Sequence, residues 1–307
     1  LSKKYTTNIF TIINRSPIYP DATKKQSHNV DSVITNAVIN LQEGLKNMNE
    51  KVVLQLANDW KSAGVATGDT ILIHSSLGRT LRRIADLEGE VSPSLVINSF
   101  LEALGSSGTL ILPLFNFDFT SGVTFDIRHT PSQMGSLTEA GRLWPGAVRT
   151  GHPIYSFVAI GRDAELFRKI DNFSGYGEDS PFGILHRLNG KIGILDLPDQ
   201  NSMTFYHYVE EKHNAPYRYH KKFSGKYIDE NGVESTRSYG LFVRDTEKGV
   251  ITHVDPMGEI LWQHGFYSGF RPKEGCGLRV ISAKNIFDEV SRVLNEGRAK
   301  GLLYDIQ

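Results

Sequence analysis

Cysteine is almost absent: Cys276, between Gly275 and Gly277, is the single one in 307 residues. An internal disulfide and any multi-cysteine metal cluster are therefore excluded. There is no surplus of either charge, since 34 Lys and Arg balance 34 Asp and Glu. Proteins that grip a nucleic-acid backbone usually carry a basic excess, so nucleic acid is not an expected partner, and Lys221-Lys222 after His220 reads as solvated surface. Long hydrophobic runs are missing as well. Lys3, Lys4 and Asn8 interrupt the start, so neither a membrane span nor a signal-like segment is expected, and the chain reads as soluble and cytoplasmic. Neither a Gly-x-Ser-x-Gly elbow nor a His-Glu-x-x-His zinc signature occurs, and no repeat or low-complexity tract is seen.

What is present is 39% hydrophobic residues with 16 Phe, 12 Tyr and 29 Gly, enough for a substantial core and a loop-rich site. Pro17, Pro20 and the Lys24-Lys25-Gln26-Ser27 run predict loop before a helix over 33–45. Residues 1–50 are read as an extension packed on the core, with a role in a partner interface left open, and 51–307 as the main domain. Val53, Leu54, Leu56, Ala57 and Trp60 give a helical face that ends at Gly64, and Thr70-Ile71-Leu72-Ile73 follows as a buried strand. The pattern then repeats. Ser92-Pro93 starts a helix over 95–104, Gly105 ends it, and Thr109-Leu110-Ile111-Leu112 is the next strand. Two helix-glycine-strand units in succession predict an α/β fold whose functional groups gather where strands end.

The segments at those ends carry the chemistry. Ile73-His74-Ser75-Ser76-Leu77-Gly78 allows close approach of a ligand to backbone N–H groups, the bland alternative being a strand-to-helix connection capped by Ser75 or Ser76. Asn116 and Asp118, in an aromatic run after Pro113, either face a pocket or pack a long loop. Ser136 and Glu139 have capping-box spacing. His152, in His152-Pro153-Ile154-Tyr155-Ser156-Phe157, is an imidazole fixed beside a proline before a buried strand: a base held in place or a turn histidine. Another strand over 191–195 leads through Asn201 to a helix where His207 and Glu210 share a face, as His207 and Glu211 could. Such a pair supports the helix or a hydrogen-bond network; zinc would need further ligands, and no metal site is expected.

Taken in order, these motifs resemble the aminoglycoside 3-N-acetyltransferase family, over roughly Val52 to Glu211. The resemblance rests on Ala63-Gly64-Val65 with Gly68-Asp69-Thr70, Ile73 to Leu77, Leu104-Gly105 with Gly108-Thr109-Leu110, and Pro131-Ser132 with Met134-Gly135 and Leu137-Thr138-Glu139. It continues through Pro145-Gly146-Ala147, His152-Pro153, Ser156-Phe157, Ser180-Pro181-Phe182-Gly183, and His207 with Glu210. It implies a three-layer α/β/α sandwich of this family's type in an acyltransferase domain at 51–307, to which Lys226-Tyr227-Ile228, Tyr239 to Val243 and Gly249-Val250-Ile251 are read as a strand-rich C-terminal addition, a lobe at 217–275. It also implies direct transfer of an acyl group from coenzyme A to a sugar amine. Catalysis would then fall to His152 as base, Glu210 as its carboxylate support and His207 in the pocket network. His74, Ser75, Ser76 and Leu77 would line the acyl-CoA arm, and Asn116, Asp118, Glu139 and Asn201 the acceptor.

The departures concern that acceptor. Met203-Thr204 stands where the family has an asparagine-threonine pair, and Asn201-Ser202 is displaced upstream. The neutral chain, with Arg128 and His129 in its loop, suits a polycation less well than an acidic one would. The sequence therefore favours an N-acyltransferase acting on an amino sugar, nucleotide-linked in one version and destined for a surface polysaccharide. Aminoglycoside acetylation with antibiotic resistance is the second reading; a metal-dependent hydrolase and a noncatalytic carbohydrate-binding protein are readings from other classes. No membrane partner is expected, and a homodimer is left open.

Overall fold

In the computed structural model, residues 24–307 are described, and the sequence reading of residues 1–23 lies outside them. The chain divides into two compact units, Leu1–Asn47 and Met48–Gln307. The first described element is one long helix, α1 (Lys24–Ser62), where the sequence predicted a loop, a helix over 33–45 and a separate helix before Gly64. Gly44, Asn47 and Asn49 are poor helix formers, yet without a proline each weakens the helix by less than is needed to stop it.

The second unit is built on a seven-stranded mixed sheet. Its centre is parallel: β1 (Thr70–Ser75) lies between β2 (Thr109–Pro113) and, reached later in the chain, the strand Lys191–Leu195. Helix α2 (Gly78–Asp86) follows β1, and α3 (Pro93–Leu104) leads into β2. At α3 the turn chemistry acts as predicted. Ser92 Oγ accepts from Ser94 N, Pro93 takes the first helical position, and Gly105 closes the helix at φ 65°, a conformation that favours glycine. The crossing segment after β2 holds β3 (Phe125–Asp126) and α4 (Ser136–Arg142). It returns as the antiparallel pair β4 (Val148–Arg149) and β5 (Phe157–Gly161) on the β2 edge. After α5 (Glu165–Arg168), Ser180 caps α6 (Pro181–Arg187), and β6 is the third parallel strand, Lys191–Leu195. Helix α7 (Phe205–Lys212) comes next.

Then comes a long antiparallel hairpin, β7 (Arg218–Ile228) and β8 (Glu234–Arg244), in a small sheet with β3. Within the predicted strand-rich lobe the chain also forms β9 (Val250–Thr252), a helix α8 (Asp255–Gln263) that the sequence reading did not place, and β10 (Ser268–Gly269). Strand β11 (Leu278–Ser282) rejoins the main sheet against β6, α9 (Ala283–Asn295) packs behind it, and β12 (Tyr304–Ile306) pairs with β9.

Alternation along the central strands creates the layers. Ile71, Ile73, Leu110 and Leu112 point into a core with Leu56, Trp60, Phe100 and Leu137 from the helices on that face. Leu72, Ile111, Ile192 and Ile194 point the other way, into a core with Phe182, Phe205, Val290 and the aromatic side chains of the hairpin. A sheet buried on both faces with parallel strands at its centre is the expected consequence of near-continuous apolar runs. Trp60 anchors the first core, stacked on Phe100 at 4.8 Å with its indole N–H given to Ser99 Oγ at 2.8 Å. Among the described residues no helix is long and apolar enough to cross a membrane.

Candidate active site

The C-terminal ends of β1 and β6 bring the predicted segments together. Beyond β1 an open cavity of about 410 Å³ is lined by Ser75, Ser76, Leu77 and Gly78, by the Met134 to Leu137 turn, and by Leu197 beyond β6. Neither serine caps α2, whose N-cap is Leu77 and carries no side-chain hydrogen bond. The first-turn amides of α2 therefore lack both intrahelical acceptors and a cap, and they open beside this cavity. The capping-box reading of Ser136 with Glu139 also fails. Gly135 is the N-cap, while Glu139 Oε2 accepts from Ser132 N at 3.0 Å and pairs with Arg142. Glu139 holds the loop over the cavity wall because its carboxylate has two nearer donors than the helix start.

His74 is buried at the end of β1, and burial pushes its imidazole down to about 4. Its Nε2 lies 3.3 Å from Thr204 Oγ1, the residue preceding α7, so the cavity loop is tied to the helix that carries His207. Ring contacts continue the link. Phe115 lies 6.4 Å from His74 and 4.2 Å from Tyr155, Tyr155 packs on Tyr176 at 4.8 Å, and Tyr176 meets the His207 ring edge to face at 5.1 Å.

His207 and Glu210 do meet. His207 Nδ1 is 2.8 Å from Glu210 Oε2, and the remaining carboxylate oxygen accepts from the Tyr217 hydroxyl at 2.8 Å. Glu210 is fully buried, and Arg218 Nε sits 2.8 Å from its Oε2. Burial alone would raise this carboxyl, but the Arg218 charge and the hydrogen bonds from His207 and Tyr217 hold it below the ordinary carboxylate range. Burial and then the Arg218 charge lower His207, against the pull of Glu210. The His207 side chain stays 16% exposed, and among the described residues no protein atom bonds its Nε2.

His152 has a different environment. It lies between β4 and β5, fully buried, with Nδ1 accepting from Ile154 N at 3.2 Å and Tyr155 N at 3.0 Å. An imidazole whose Nδ1 accepts two amides carries its proton on Nε2, which points at Gly240 O of β8, 3.3 Å away. Burial pushes it down to about 4 in spite of the Gly240 and Phe173 carbonyls. Both nitrogens are spent on backbone, so His152 fastens the hairpin to the core, and it is not brought to Glu210.

The remaining candidates are scattered. Asn116 is buried, its side-chain N–H donating to Pro131 O and its oxygen accepting from Asp118 N. Asp118 is exposed and accepts from Gln133. Asn201 is exposed in a short turn after β6. Sequence reading did not single out Arg218, Tyr176 or Asp199. Asp199 is the anchor of that turn: it pairs with buried Arg279 at 2.6 Å and accepts from the Tyr206 and Tyr267 hydroxyls. A second cavity, of about 240 Å³, shares Tyr176 with His207 and is lined by Glu178, Glu211, Lys212 and His220. Burial raises Glu211 there despite the Ser174 hydroxyl at 2.6 Å. Among the described residues no three His, Cys, Asp or Glu side chains converge as a metal site.

Comparison with known proteins agrees with this architecture. The sequence profile described as Aminoglycoside 3-N-acetyltransferase matches residues 72–294. Aminoglycoside N(3)-acetyltransferase VIII of Streptomyces fradiae is 27% identical over 185 residues, which cover 53% of this chain and 61% of that protein. Aminoglycoside N(3)-acetyltransferase III of a Salmonella species is 31% identical over 176 residues, covering 51% and 59%. The matched segment thus spans about three fifths of these relatives. A solved structure described as AAC-IIIb binary with CoASH superposes with a TM-score of 0.65 at 23% identity, over 79% of this chain and 95% of that one, and establishes the shared fold.

Proposed function

The chain belongs to the aminoglycoside 3-N-acetyltransferase family, and on that premise we propose that it transfers an acetyl group from acetyl-CoA to an amine of an aminoglycoside. Of the two acceptors expected from the sequence, the relatives' names favour the aminoglycoside over the nucleotide-linked amino sugar. One observation carries the chemistry: His207 combines a buried carboxylate on Nδ1 with an unbonded Nε2 at a partly exposed ring edge.

The cavity beside Ser75 to Gly78 suits the donor, because uncapped amides line one side and Leu77, Met134, Leu137 and Leu197 the other. Acetyl-CoA, when bound, supplies a thioester at which a C–N bond to the amine forms as the C–S bond breaks, the sulfur leaving as thiolate and receiving the amine's proton back from His207. The protein's part is proton handling and placement. His207 Nε2 takes the proton that the attacking nitrogen must lose, and Glu210 orients the ring and favours the cation that results. The base is thus His207, not His152, whose nitrogens are occupied. His74 and Thr204 hold the donor loop against α7. Glu211, in the cavity that shares Tyr176, is available to a further polar group of the acceptor, while Glu178 there is paired with Lys212. Asp118 and Asn201 remain acceptor contacts in this proposal by their exposure at the ends of β2 and β6. Residues 1–50 act as an extension, and a homodimer is compatible with this assignment.

The test is product mass after incubation with acetyl-CoA and a panel of aminoglycosides and nucleotide-linked amino sugars. One added acetyl group on an aminoglycoside is expected. No acetyl-CoA binding in calorimetry and no product from any acceptor would overturn the reading.

A further inference from the structure

We propose that Arg218 is a positioning residue: it occupies the charge of Glu210 and thereby leaves His207 able to accept a proton from the attacking amine. The inference rests on the acyltransfer reading above and adds a residue to it. Arg218 is the first residue of β7 and is almost wholly enclosed, its side chain 6% exposed. Two of its guanidinium nitrogens hydrogen-bond, and the third, Nε, makes an ion-pair contact without a hydrogen bond. Nε lies 2.8 Å from Glu210 Oε2, Nη1 donates to Phe242 O of β8 at 2.9 Å, and Nη2 lies 2.8 Å from His207 Nδ1. The Phe242 bond pins the guanidinium to the hairpin, so its place beside the pair is set by the fold and not by chance contact.

The charges decide what this does. A buried imidazole facing a buried carboxylate, with nothing else nearby, retains a proton as an ion pair, and a base that is already protonated cannot act. With Arg218 in place, a neutral imidazole, one carboxylate and one guanidinium sum to zero. Protonating His207 would set a second cation 2.8 Å from a guanidinium nitrogen. Nδ1 also cannot serve both neighbours: it donates to Glu210 or accepts from Arg218. Only the donating form presents a bare Nε2. Arg218 therefore favours the neutral ring by its charge, whereas the base-competent tautomer is the one in which Nδ1 donates to Glu210 and not the one in which it accepts from Arg218. The other groups facing the pair are Arg244 from β8, which adds positive charge, and the neutral phenols of Tyr176 and Tyr217; Glu211 follows on α7 and is turned to Ser174. Burial and Arg218 together lower His207 below the ordinary histidine value, in line with this geometry.

The experiment combines the pH profile of kcat/KM at saturating acetyl-CoA with an NMR titration of ring-labelled histidines, His207 being identified by its loss in His207→Gln. The acceptor amine's own titration is common to all variants and cancels in the comparison. In Arg218→Gln the pair keeps its proton to higher pH, so the acid limb and the proton uptake at the pair both move up by about one unit or more, about tenfold in proton affinity. Arg218→Lys, which keeps the charge, restores at least half of that shift. Equal loss of activity at every pH with unchanged proton uptake would reduce Arg218 to a structural role and overturn the proposal. Should Arg218→Gln fail to fold, the unaltered protein decides: His207 is expected to titrate below the ordinary histidine value, and titration at or above it overturns the proposal. The predicted NMR shift without acetyl transfer to any acceptor would instead sink the enzymatic reading and leave the hold of Arg218 on the pair intact.

Discussion

His152 and His207 occupy neighbouring regions of one molecule, and burial lowers the proton affinity of both, yet their partners differ at each nitrogen. The His152 region, where the β4 to β5 connection meets the hairpin, surrounds the imidazole with backbone: two amides on Nδ1 and the Gly240 carbonyl at Nε2. The His207 region, at the start of α7, offers one nitrogen a carboxylate and a guanidinium and leaves the other without a protein partner among the described residues. Burial alone does not make a catalytic histidine. What separates a fastener from a base is whether the second nitrogen still has somewhere to send a proton.

The largest effect that would sharpen this contrast is on turnover. His207→Ala should lower kcat by roughly two to four orders of magnitude, the usual scale of general base catalysis, while acetyl-CoA binding by calorimetry stays near that of the unaltered protein. If His152→Ala were to lose as much while fully folded, the contrast would break and His152 would regain the catalytic role.

His152→Ala should act on stability instead. Two backbone amides lose their acceptor in a fully enclosed place, at a cost of about 1–3 kcal/mol for each buried group left unsatisfied, while the Gly240 carbonyl keeps the Gly175 amide. Urea unfolding should report the loss, and the remaining folded enzyme should keep most of its turnover. An unchanged midpoint would mean that solvent or a neighbouring side chain replaces the ring, and the fastener role would fall.

The smallest expected effect is the dependence of stability on pH. His74 and His152 are pushed down to about 4 in the folded protein, whereas an unfolded histidine titrates near its ordinary value of 6.5. Between those values the unfolded chain binds more protons than the folded one, so stability is full above about pH 6.5 and falls as pH drops towards 4. Each residue contributes a slope of up to about 1.4 kcal/mol per pH unit in that window. Urea midpoints at pH 7 and pH 5 measure the sum, and His152→Ala should make the dependence shallower. A slope unaltered by that substitution would show that His152 is not held neutral.

Much of this architecture could be read from the chain. Ser92-Pro93, Gly105 and the alternating apolar run after Gly108 define a capped helix and a strand through interactions a few residues long, and they formed where expected. The helix break expected after Leu45 did not appear, because weak helix formers bias a local equilibrium that a long helix can override. Ser136 and Glu139 had the spacing of a capping box, but Arg142 and the Ser132 amide offered the carboxylate better partners. In the site, the pairing of His207 with Glu210 was legible because a three-residue step places both on one helix face.

The sequence by itself thus determined the helix and strand around Gly105, the apolar runs of the central strands, and the His207–Glu210 step, all fixed by periodicity and short-range geometry. Only the tertiary structure decided what surrounds each histidine. Those surroundings come from groups outside the motifs: Gly240, 88 positions after His152, faces that ring, and Arg218, 11 positions after His207, lies beside the other. An imidazole's proton affinity is set by burial and by the partner at each nitrogen, and neither is a property of the few residues that surround it in sequence.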